Sequence, residues 1–345
     1  MNQPPTPQLP SKLSMMPFDH KLFTTIETFA AQHQLIRPGM HLICGLSGGA
    51  DSVFLLHFLA YLQSKIALTI TAVHLDHEWR PDSGNDAALC QRIVDSLGIA
   101  LIIKKRSALP NGSLKAQGSV EELGRILRRS LFESVRTHLR ADAICLGHHL
   151  QDQQETFLLR LIRGSSLAGM TGIQPRSGVY IRPLLETSKS DIATFLTKHN
   201  IPFVHDSTND SDNFLRNRLR HRVLPALATC DPRFDKNFLK TLARLQESDQ
   251  ALTQIVSELF DQIRVVRDGG IWLKTNELAR QPINVQHRLL VYWFVNHRLK
   301  FPVSHSFLEE VLRFLKNSRS QRHQLTSEWC IVKEKGYATL RVLSS

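Results

Sequence analysis

The chain has 345 residues, 42% of them hydrophobic, and a formal net charge of +12 at pH 7. This length and apolar content predict about two domains, each able to bury a core. No apolar run reaches the length of a membrane-spanning helix, so a membrane partner is excluded. The positive charge favours a polyanion such as nucleic acid as partner, although many basic proteins do not bind RNA.

Cysteine usage and the first residues indicate where the protein resides. Five cysteines are scattered singly, without the Cys-x-x-Cys pairs typical of zinc sites, iron–sulfur clusters or redox couples. Single thiols of this kind fit a reducing compartment. Residues 1–17 are rich in proline and polar residues and lack the apolar segment of a signal peptide. We therefore expect a cytoplasmic protein with a disordered leader over residues 1–17.

Alternating strand and helix patterns predict an α/β fold. Apolar residues from Phe18 to Phe29 recur at helical spacing and predict a first helix. Four short strand-like runs follow, each separated from the next by a helical stretch: 41–46, 67–75, 99–103 and 143–146. This alternation predicts a parallel sheet with right-handed crossovers. Ligands of such sheets bind beyond the carboxyl ends of the strands.

A glycine turn joins the first strand to the next helix. The turn reads Ser47-Gly48-Gly49-Ala50-Asp51-Ser52. Two adjacent glycines let successive backbone N–H groups point into one concavity, and the helix adds its unpaired N–H groups and its dipole. Asp51 would repel a phosphate there unless a cation lay between them, so the turn predicts a magnesium-bound nucleotide. The plainer alternative is a tight turn in which Asp51 or Ser52 caps the helix.

Polar side chains cluster where the second and fourth strands end. The first cluster contains His74, Asp76, His77 and Arg80, and the second contains His148, His149 and Asp152. Both clusters should face the glycine turn, because the carboxyl ends of parallel strands meet at one edge. For the first cluster, a polar loop that only closes a strand is an equal alternative. A zinc site in the second cluster would lack a further soft ligand at suitable spacing.

Arginines recur on two predicted helices. The helix that begins near Glu121 carries Arg125, Arg128 and Arg129 on one face, which a solvated charged surface explains equally well. The helix over 213–227 is denser in arginine, with Arg216, Arg218, Arg220 and Arg222. Such density suits phosphate contacts.

The domain boundary is predicted near residue 228. A catalytic domain over 18–228 would precede a smaller, mainly helical, tRNA-binding domain over 229–345. We expect helices near 232–264, 282–298 and 304–316 in the second domain, with short strands near 271–274 and at the end. Its basic and aromatic residues could contact RNA, although Tyr292 and Trp293 fit a core position better.

The ordered motifs resemble the N-type ATP pyrophosphatases, and more narrowly the bacterial tRNA(Ile)-lysidine synthetases. The matching segments are Ser47–Ser52, His74–Arg80, Glu121-x-x-x-Arg125-x-x-Arg128, His148–Thr156, Arg160–Gly164, Arg182–Leu185, Asp206–Asn209 and Arg216–Arg218. The match covers about residues 40–226, and beyond 231 it extends only to length and pattern. The resemblance implies an adenine nucleotide alpha hydrolase-like fold, and we expect the second C-terminal domain of longer family members to be absent.

The resemblance implies an ATP-dependent carbon–nitrogen ligase. ATP would be cleaved between its α and β phosphates to adenylate the C2 oxygen of the first anticodon cytidine in tRNA(Ile) with the anticodon CAU. The ε-amine of free L-lysine would then displace AMP, and the resulting lysidine pairs with A instead of G. The oligomeric state does not follow from the sequence, and a homodimer stays open.

The resemblance also implies residue roles. The turn residues Ser47, Gly48, Gly49, Ala50, Asp51 and Ser52 would hold the β and γ phosphates, and Asp51 and Asp152 would bind Mg²⁺. Arg125 and Arg163, with Arg128, would offset phosphate charge or contact tRNA. One of His148, His149 and Asp152 would take a proton from the lysine ammonium, and the choice among them stays open.

Two departures and two rival functions qualify this resemblance. Gln151 stands where the family usually has a second aspartate, and an amide does not bind metal as a carboxylate does. Gly124 stands where the family usually has alanine before its first arginine. A tRNA thiolase on the same loop would use persulfide or cluster cysteines. A non-catalytic RNA-binding protein would not need the intact glycine turn.

Overall fold

The protein is described from a computed structural model that covers residues 16–80, 82–110, 120–204, 214–267, 269–297, 299, 303–317 and 321–343. Most of the predicted leader and the Asp206–Asn209 motif lie outside the described residues. The chain divides into two compact units, Met1–Ala243 and Arg244–Ser345. The division falls inside a long helix, Phe234–Ile263, and not at the shorter break near residue 228 where the sequence placed it.

The first unit contains a six-stranded sheet whose first four strands match the predicted runs. The strands are β1 His41–Gly45, β2 Thr69–Asp76, β3 Ala100–Lys105, β4 Ala143–Cys145, β5 Arg176–Ser177 and β6 Tyr180–Ile181. Their order is β3-β2-β1-β4-β6-β5, and only the β5–β6 pair is antiparallel. The chain therefore changes direction across the sheet between β1 and β4, which is where a parallel sheet binds its ligand.

Ten helices of the first unit and its boundary carry the connections, as far as the described residues go. They are α1 Pro17–Gln32, α2 Ala50–Lys65, α3 Ser83–Leu97, α4 Val120–Leu139, α5 Leu150–Ile162, α6 Leu167–Met170, α7 Lys189–Lys198, α8 Leu215–Arg218, α9 Leu224–Cys230 and α10 Phe234–Ile263. Between α8 and α9, Leu219–Val223 forms a π-helical turn. π-Helical turns are rare in proteins, and those that occur are often found at functional sites.

The helices pack on both faces of the sheet. On one face, α1, α2, α3 and α7 share an apolar core in which Phe23, Phe54 and Phe195 are fully buried. On the other face, α4 packs on Ile43 and Ile144 of the central strands. Helix α2 is apolar on almost every side, so burial, and not an amphipathic pattern, fixes its position behind the glycine turn.

The second unit combines helices with a sheet. The later part of α10 is followed by α11 Thr275–Ala279, α12 Ile283–Asn296 and α13 His305–Lys316. A five-stranded antiparallel sheet has the order β7-β8-β11-β10-β9, with β7 Arg264–Arg267, β8 Gly270–Lys274, β9 Arg322–Gln324, β10 Trp329–Glu334 and β11 Tyr337–Val342. The three long helices and β8 were predicted, and Trp293 is a core residue as expected. No helix in the described part of the chain is long and apolar enough to cross a membrane.

His57 is a titratable group inside the core of the first unit. It lies on α2 with both ring nitrogens buried and without a hydrogen-bond partner among the described residues. Burial, reinforced by the charge of His199, lowers the His57 pKa from 6.5 to about 4. The unfolded chain therefore binds the proton first, and the stability contributed by the neutral ring is lost as pH falls from 6.5 to 4.

We expect His57→Leu to reduce the acid-induced loss of stability. The wild-type protein should lose roughly 3 kcal/mol more unfolding free energy between pH 7 and pH 4 than the variant, because the variant has no proton to bind at this position. Urea unfolding at both pH values measures the difference, with the exposed His20→Leu as the matched control. Equal losses in wild type and His57→Leu would contradict the prediction.

Candidate active site

The loop after β1 is braced by its own serines. Ser52 Oγ accepts a hydrogen bond from the Ser47 N–H at 3.1 Å and donates one to the Gly49 carbonyl at 2.9 Å. The hydroxyls of Ser47 and Ser52 lie 3.0 Å apart. Gly48 adopts φ +86°, which favours glycine, and a side chain there would press on Val204 at 3.1 Å. The two serines therefore hold the loop in shape from behind.

The open side of this loop is the first turn of α2. Gly49 is the N-cap, so the N–H groups of Ala50, Asp51 and Ser52 have no partner inside the helix. At Gly49, the nearest described atom to an added Cβ would be Ser47 Oγ at 3.5 Å, which leaves room for a ligand. Unpaired N–H groups and the positive end of the helix dipole favour an anion here. The loop has the form of a phosphate cradle.

The end of β4 lies directly against this first turn. An added Cβ at Gly147 would lie 2.9 Å from the Asp51 carbonyl oxygen and 3.2 Å from the Ser52 nitrogen. Both neighbours are backbone atoms of α2 that cannot rotate away. Gly147 therefore permits the close approach that brings the residues after β4 to the cradle, as the strand-end rule predicts. The sequence placed this glycine at the head of the polar segment after the fourth strand but assigned it no role.

Two carboxylates flank His149 at the junction of α2 and α5. His149 Nε2 lies 3.5 Å from Asp51 Oδ2 and 3.7 Å from Asp152 Oδ2. His149 is also the N-cap of α5, since its Nδ1 accepts the Gln151 N–H at 3.2 Å, while its own N–H donates to Asp152 Oδ2 at 3.0 Å. An Nδ1 that accepts leaves the ring proton on Nε2, where it points to the carboxylates.

Opposing effects set the protonation of His149. Burial works to lower its pKa, but the hydrogen bond with Asp51 and the negative charges of Asp152 and Glu155 outweigh burial and raise the pKa. Burial likewise works to raise the Asp152 pKa, and the charges of His149, His148 and Arg216 lower it overall. Asp152 is therefore ionised at neutral pH.

His148 differs from its neighbour. Burial lowers its pKa to about 4, and the negative charge of Asp152 opposes this shift without cancelling it. His148 Nδ1 is buried and has no hydrogen-bond partner among the described residues. His148 therefore presents a neutral ring with a nitrogen free to accept a proton or bind a ligand.

A buried charge network fixes α5 to the π-helical turn. Glu155 is fully buried, and Arg216 Nε and Arg220 Nε each reach its carboxylate at 2.6 Å. Arg216 Nη2 also binds Asp152 Oδ1 at 3.1 Å. Burial works to lower the Arg220 pKa, but the Glu155 contacts, followed by the negative charges of Asp152 and Asp51, raise it overall, so that guanidinium lies within electrostatic range of the cradle. Arg216 and Arg220, expected to contact phosphates, thus pair first with protein carboxylates.

The remaining polar residues after β4 bind neighbouring segments of the protein. Gln151 Oε1 accepts the Lys189 N–H at 2.8 Å and so helps to cap α7. Gln153 exchanges two hydrogen bonds with the backbone of Ile173, and Gln154 Nε2 donates to Asp235 Oδ1 at 2.7 Å. These amides fasten α5 to its neighbours, and only His148, His149 and Asp152 remain beside the cradle.

Most residues of the polar cluster at the end of β2 make hydrogen bonds or ion pairs within the protein, and the others lie at the surface. The Nδ1–H of His74 donates to the Leu46 carbonyl at 2.9 Å, which supports the start of the cradle loop. Asp76 accepts the Glu78 N–H at 2.9 Å. Arg80 pairs with Asp86 at 2.6 Å. Only His77 and its neighbour Trp79 present an aromatic surface at this strand end.

The two arginines predicted to be catalytic lie on α4 and at the end of α5. Arg163 is the C-cap of α5, a helix of 13 residues, which at 1.5 Å per residue places it roughly 20 Å from His149. Arg163 is therefore too far from His149 to neutralise a phosphate beside it. Arg125 is an exposed residue of α4 that pairs with Glu122 at 3.0 Å. Its predicted role stays a prediction.

The carboxylates beside the cradle offer oxygen ligands of the kind that Mg²⁺ prefers. Asp51 Oδ1 is buried without a hydrogen-bond partner among the described residues, although the carboxylate stands at the cradle. An unpaired buried oxygen beside a phosphate site is a hard ligand of the type Mg²⁺ prefers. Asp152 already uses one oxygen for Arg216 and the other for the His149 N–H. The residues present therefore fit the ion at Asp51, with Asp152 as a weaker second ligand.

Comparisons with known proteins agree with this geometry. The PP-loop domain family matches residues 19–227. A tRNA(Ile)-lysidine synthase of Nitrosomonas europaea is 32% identical over 300 residues, covering 84% of this chain and 62% of the relative. A tRNA(Ile)-lysidine synthase of Geobacter sulfurreducens is 30% identical over 268 residues, covering 76% of this chain and 56% of the relative.

The chain spans about half the length of the curated relatives it matches, between 45% and 62% for the first three. Among solved structures, a U34-tRNA thiolase of Methanococcus maripaludis that holds a [4Fe-4S] cluster has a TM-score of 0.58 and 16% identity. It covers 67% of this chain and 79% of its own. That likeness shows a shared fold.

We expect Glu155→Gln to destabilise the protein strongly. The change leaves Arg216 and Arg220 without their shared buried counter-charge, which typically costs about 3–5 kcal/mol. Glu122→Gln removes an exposed carboxylate that pairs with Arg125, and it should cost at most about 1 kcal/mol. Chemical denaturation of both variants measures the two losses. Similar losses would show that the buried network does not stabilise the fold.

Proposed function

The chain belongs to the PP-loop family, and on that premise we propose that it ligates lysine to the anticodon of a tRNA. ATP adenylates the C2 oxygen of the first anticodon cytidine of tRNA(Ile) with release of pyrophosphate, and the ε-amine of free lysine then attacks C2 and displaces AMP to give lysidine. The observation that carries the proposal is the cradle at α2, joined by Gly147 to a cluster that contains a neutral histidine and an ionised aspartate. Relatives named tRNA(Ile)-lysidine synthase support this choice of substrate.

ATP binding follows from the cradle. Unpaired N–H groups of Ala50, Asp51 and Ser52 bind the β and γ phosphates, while Ser47 and Ser52 keep the loop closed behind them. Asp51 would hold Mg²⁺, which would neutralise phosphate charge and make pyrophosphate a better leaving group. His149 orients Asp51 by placing its Nε2 3.5 Å from Asp51 Oδ2.

The lysine step needs a proton acceptor. A lysine ammonium has no lone pair, so it must lose a proton before it attacks the adenylated carbon. We assign the acceptor to His148, because no described residue binds its Nδ1, whereas both oxygens of Asp152 are bound and His149 caps α5. The ionised Asp152 attracts the ammonium group to this histidine.

Thiolase chemistry has little support in this chain. Cys44, Cys90 and Cys145 are buried, and burial raises the pKa of Cys44 and of Cys90 to about 12. Cys330 is also buried, in the second unit. A thiolate is needed to carry sulfur, so these thiols are poor candidates. The remaining one, Cys230, is exposed and unpaired, which agrees with a reducing location such as the proposed cytoplasm.

The direct test incubates the pure full-length protein with ATP, labelled lysine and bulk tRNA. Digestion of the tRNA to nucleosides should release label in one modified cytidine, together with one AMP and one pyrophosphate per lysine incorporated. Labelled sulfur from a persulfide donor serves as the parallel arm. Sulfur incorporation without lysine would replace the ligase proposal with the thiolase one.

Asp51→Asn tests the cradle. The amide removes a charge that Mg²⁺ needs, so pyrophosphate release should fall by roughly two to four powers of ten while the melting temperature stays near that of wild type. Asp95→Asn, at an exposed position of α3, is the matched control. Full turnover by a folded Asp51→Asn variant would refute the ATP site.

Asp152→Asn and Gln151→Ala separate chemistry from helix capping. We expect Asp152→Asn to slow single-turnover lysidine formation by roughly two to four powers of ten, because an amide does not attract the ammonium. Gln151→Ala removes only a cap of α7 and should reduce stability by about 1 kcal/mol with a small effect on rate. If Gln151→Ala is the slower of the two, the carboxylate assignment is wrong.

A further inference from the structure

Trp79 is an exposed aromatic ring at the end of β2. Its side chain is 43% exposed, whereas Trp272 and Trp293 are buried. One face of Trp79 stacks on His77, with ring centroids 4.2 Å apart and ring planes inclined by 14°. Among the described residues, His77 is the ring that stacks on it. Because His77 already orders the exposed indole, stacking a second flat ring on it loses little side-chain entropy.

Gly124 of α4 makes the space that Trp79 occupies. An added Cβ at Gly124 would lie 2.6 Å from Cη2 of Trp79 and 3.4 Å from Cε1 of His77. A methyl group at residue 124 would therefore force the indole to move. Gly124 is also one of the positions where the chain departs from its family pattern. The departure and the tryptophan fit each other, so the exposed ring is a built feature of this chain.

The surroundings of the two rings are basic. Burial, the positive charges of Arg128 and Arg106 and the charge of His74 lower the His77 pKa to about 4. His77 is therefore an uncharged stacking partner at neutral pH. Arg125 lies one residue beyond Gly124 on the same helix and is exposed. Cationic side chains around an exposed aromatic ring are the pattern of single-stranded nucleic-acid sites, because arginine contacts the backbone while the ring stacks on a base.

The position of Trp79 favours RNA over the nucleotide substrate. Trp79 packs over α4, which lies on one face of the sheet, whereas the cradle belongs to α2, which lies on the other face. Both lie at the carboxyl-terminal edge, since Trp79 follows β2 and the cradle follows β1. A polymer that enters the site across this edge can reach both faces at once.

We infer that Trp79 is a stacking platform for an unpaired nucleobase of the RNA substrate. The identity of that RNA as tRNA rests on the proposed function, but the stacking itself does not. The indole takes the base on the face away from His77, and the arginines of α4 contact the flanking phosphates. Because stacking tolerates every base, the platform contributes affinity and positioning and does not read sequence.

Fluorescence of the full-length protein tests the platform directly. Titration with an anticodon stem-loop of tRNA(Ile) should quench the wild-type tryptophan emission and leave Trp79→Phe unquenched, since the other three tryptophans lie in the second unit. Trp329→Phe is the control that should keep the quenching. Trp79→Leu should bind the stem-loop roughly ten- to a hundredfold more weakly, and Trp79→Phe should retain most of the affinity.

An ATP titration identifies the ligand of the platform, and the Gly124→Ala variants distinguish loss of the platform from loss of the fold. ATP alone should not quench, and quenching by ATP at the expected affinity of the cradle would assign the platform to adenine and overturn the inference. Gly124→Ala should weaken RNA binding as Trp79→Leu does, because the methyl group displaces the indole. Adding Trp79→Leu to Gly124→Ala should recover the melting temperature without recovering the affinity.

The outcomes separate the platform from the proposed function. Lysidine formation with no fluorescence change and no affinity loss in Trp79→Leu would overturn the platform and leave the ligase proposal intact. Quenching by the stem-loop in a protein that forms no lysidine would support the platform and refute the proposed reaction.

Discussion

An ionised carboxylate buried away from water needs positively charged partners, and the fully buried Glu155 shows this requirement most clearly. It is fully buried on α5, and Arg216 of α8 and Arg220 of the π-helical turn approach it. Arg216 also contacts Asp152, Asp152 binds the N–H of His149, and His149 faces Asp51. A continuous series of polar contacts thus runs from the interior of the first unit to the phosphate cradle. Its inner members are paired, whereas its last oxygen, Asp51 Oδ1, has no partner among the described residues.

This arrangement explains why the site is rigid where chemistry requires it. The amides of Gln151, Gln153 and Gln154 fasten α5 to three neighbouring segments, so the helix that His149 caps cannot rotate freely. Preorganised dipoles and charges stabilise a developing charge without further reorganisation. Asp51 Oδ1 and His148 Nδ1, two buried atoms that no described residue binds, are atoms that the proposed reaction uses.

The sequence predicted the elements better than the contacts between them. Periodicity located the first four strands and the glycine turn after β1, because each depends on neighbours a few residues away. The strands β5 and β6 are two residues long and leave no periodic signal. Glu155 pairs with arginines 61 and 65 residues later, a relation that no local pattern contains. Polarity drew attention to the segment after β4, but it could not show that Gln151, Gln153 and Gln154 bind neighbouring segments of the protein.

The most direct measurement is a crystal structure of the protein with Mg²⁺ and an ATP analogue that cannot be cleaved between its α and β phosphates. The account predicts the β and γ phosphates on the N–H groups of Ala50, Asp51 and Ser52. It also predicts an ion about 2.1 Å from an Asp51 oxygen. A nucleotide bound elsewhere, or an ion that Asp51 does not contact, would contradict it.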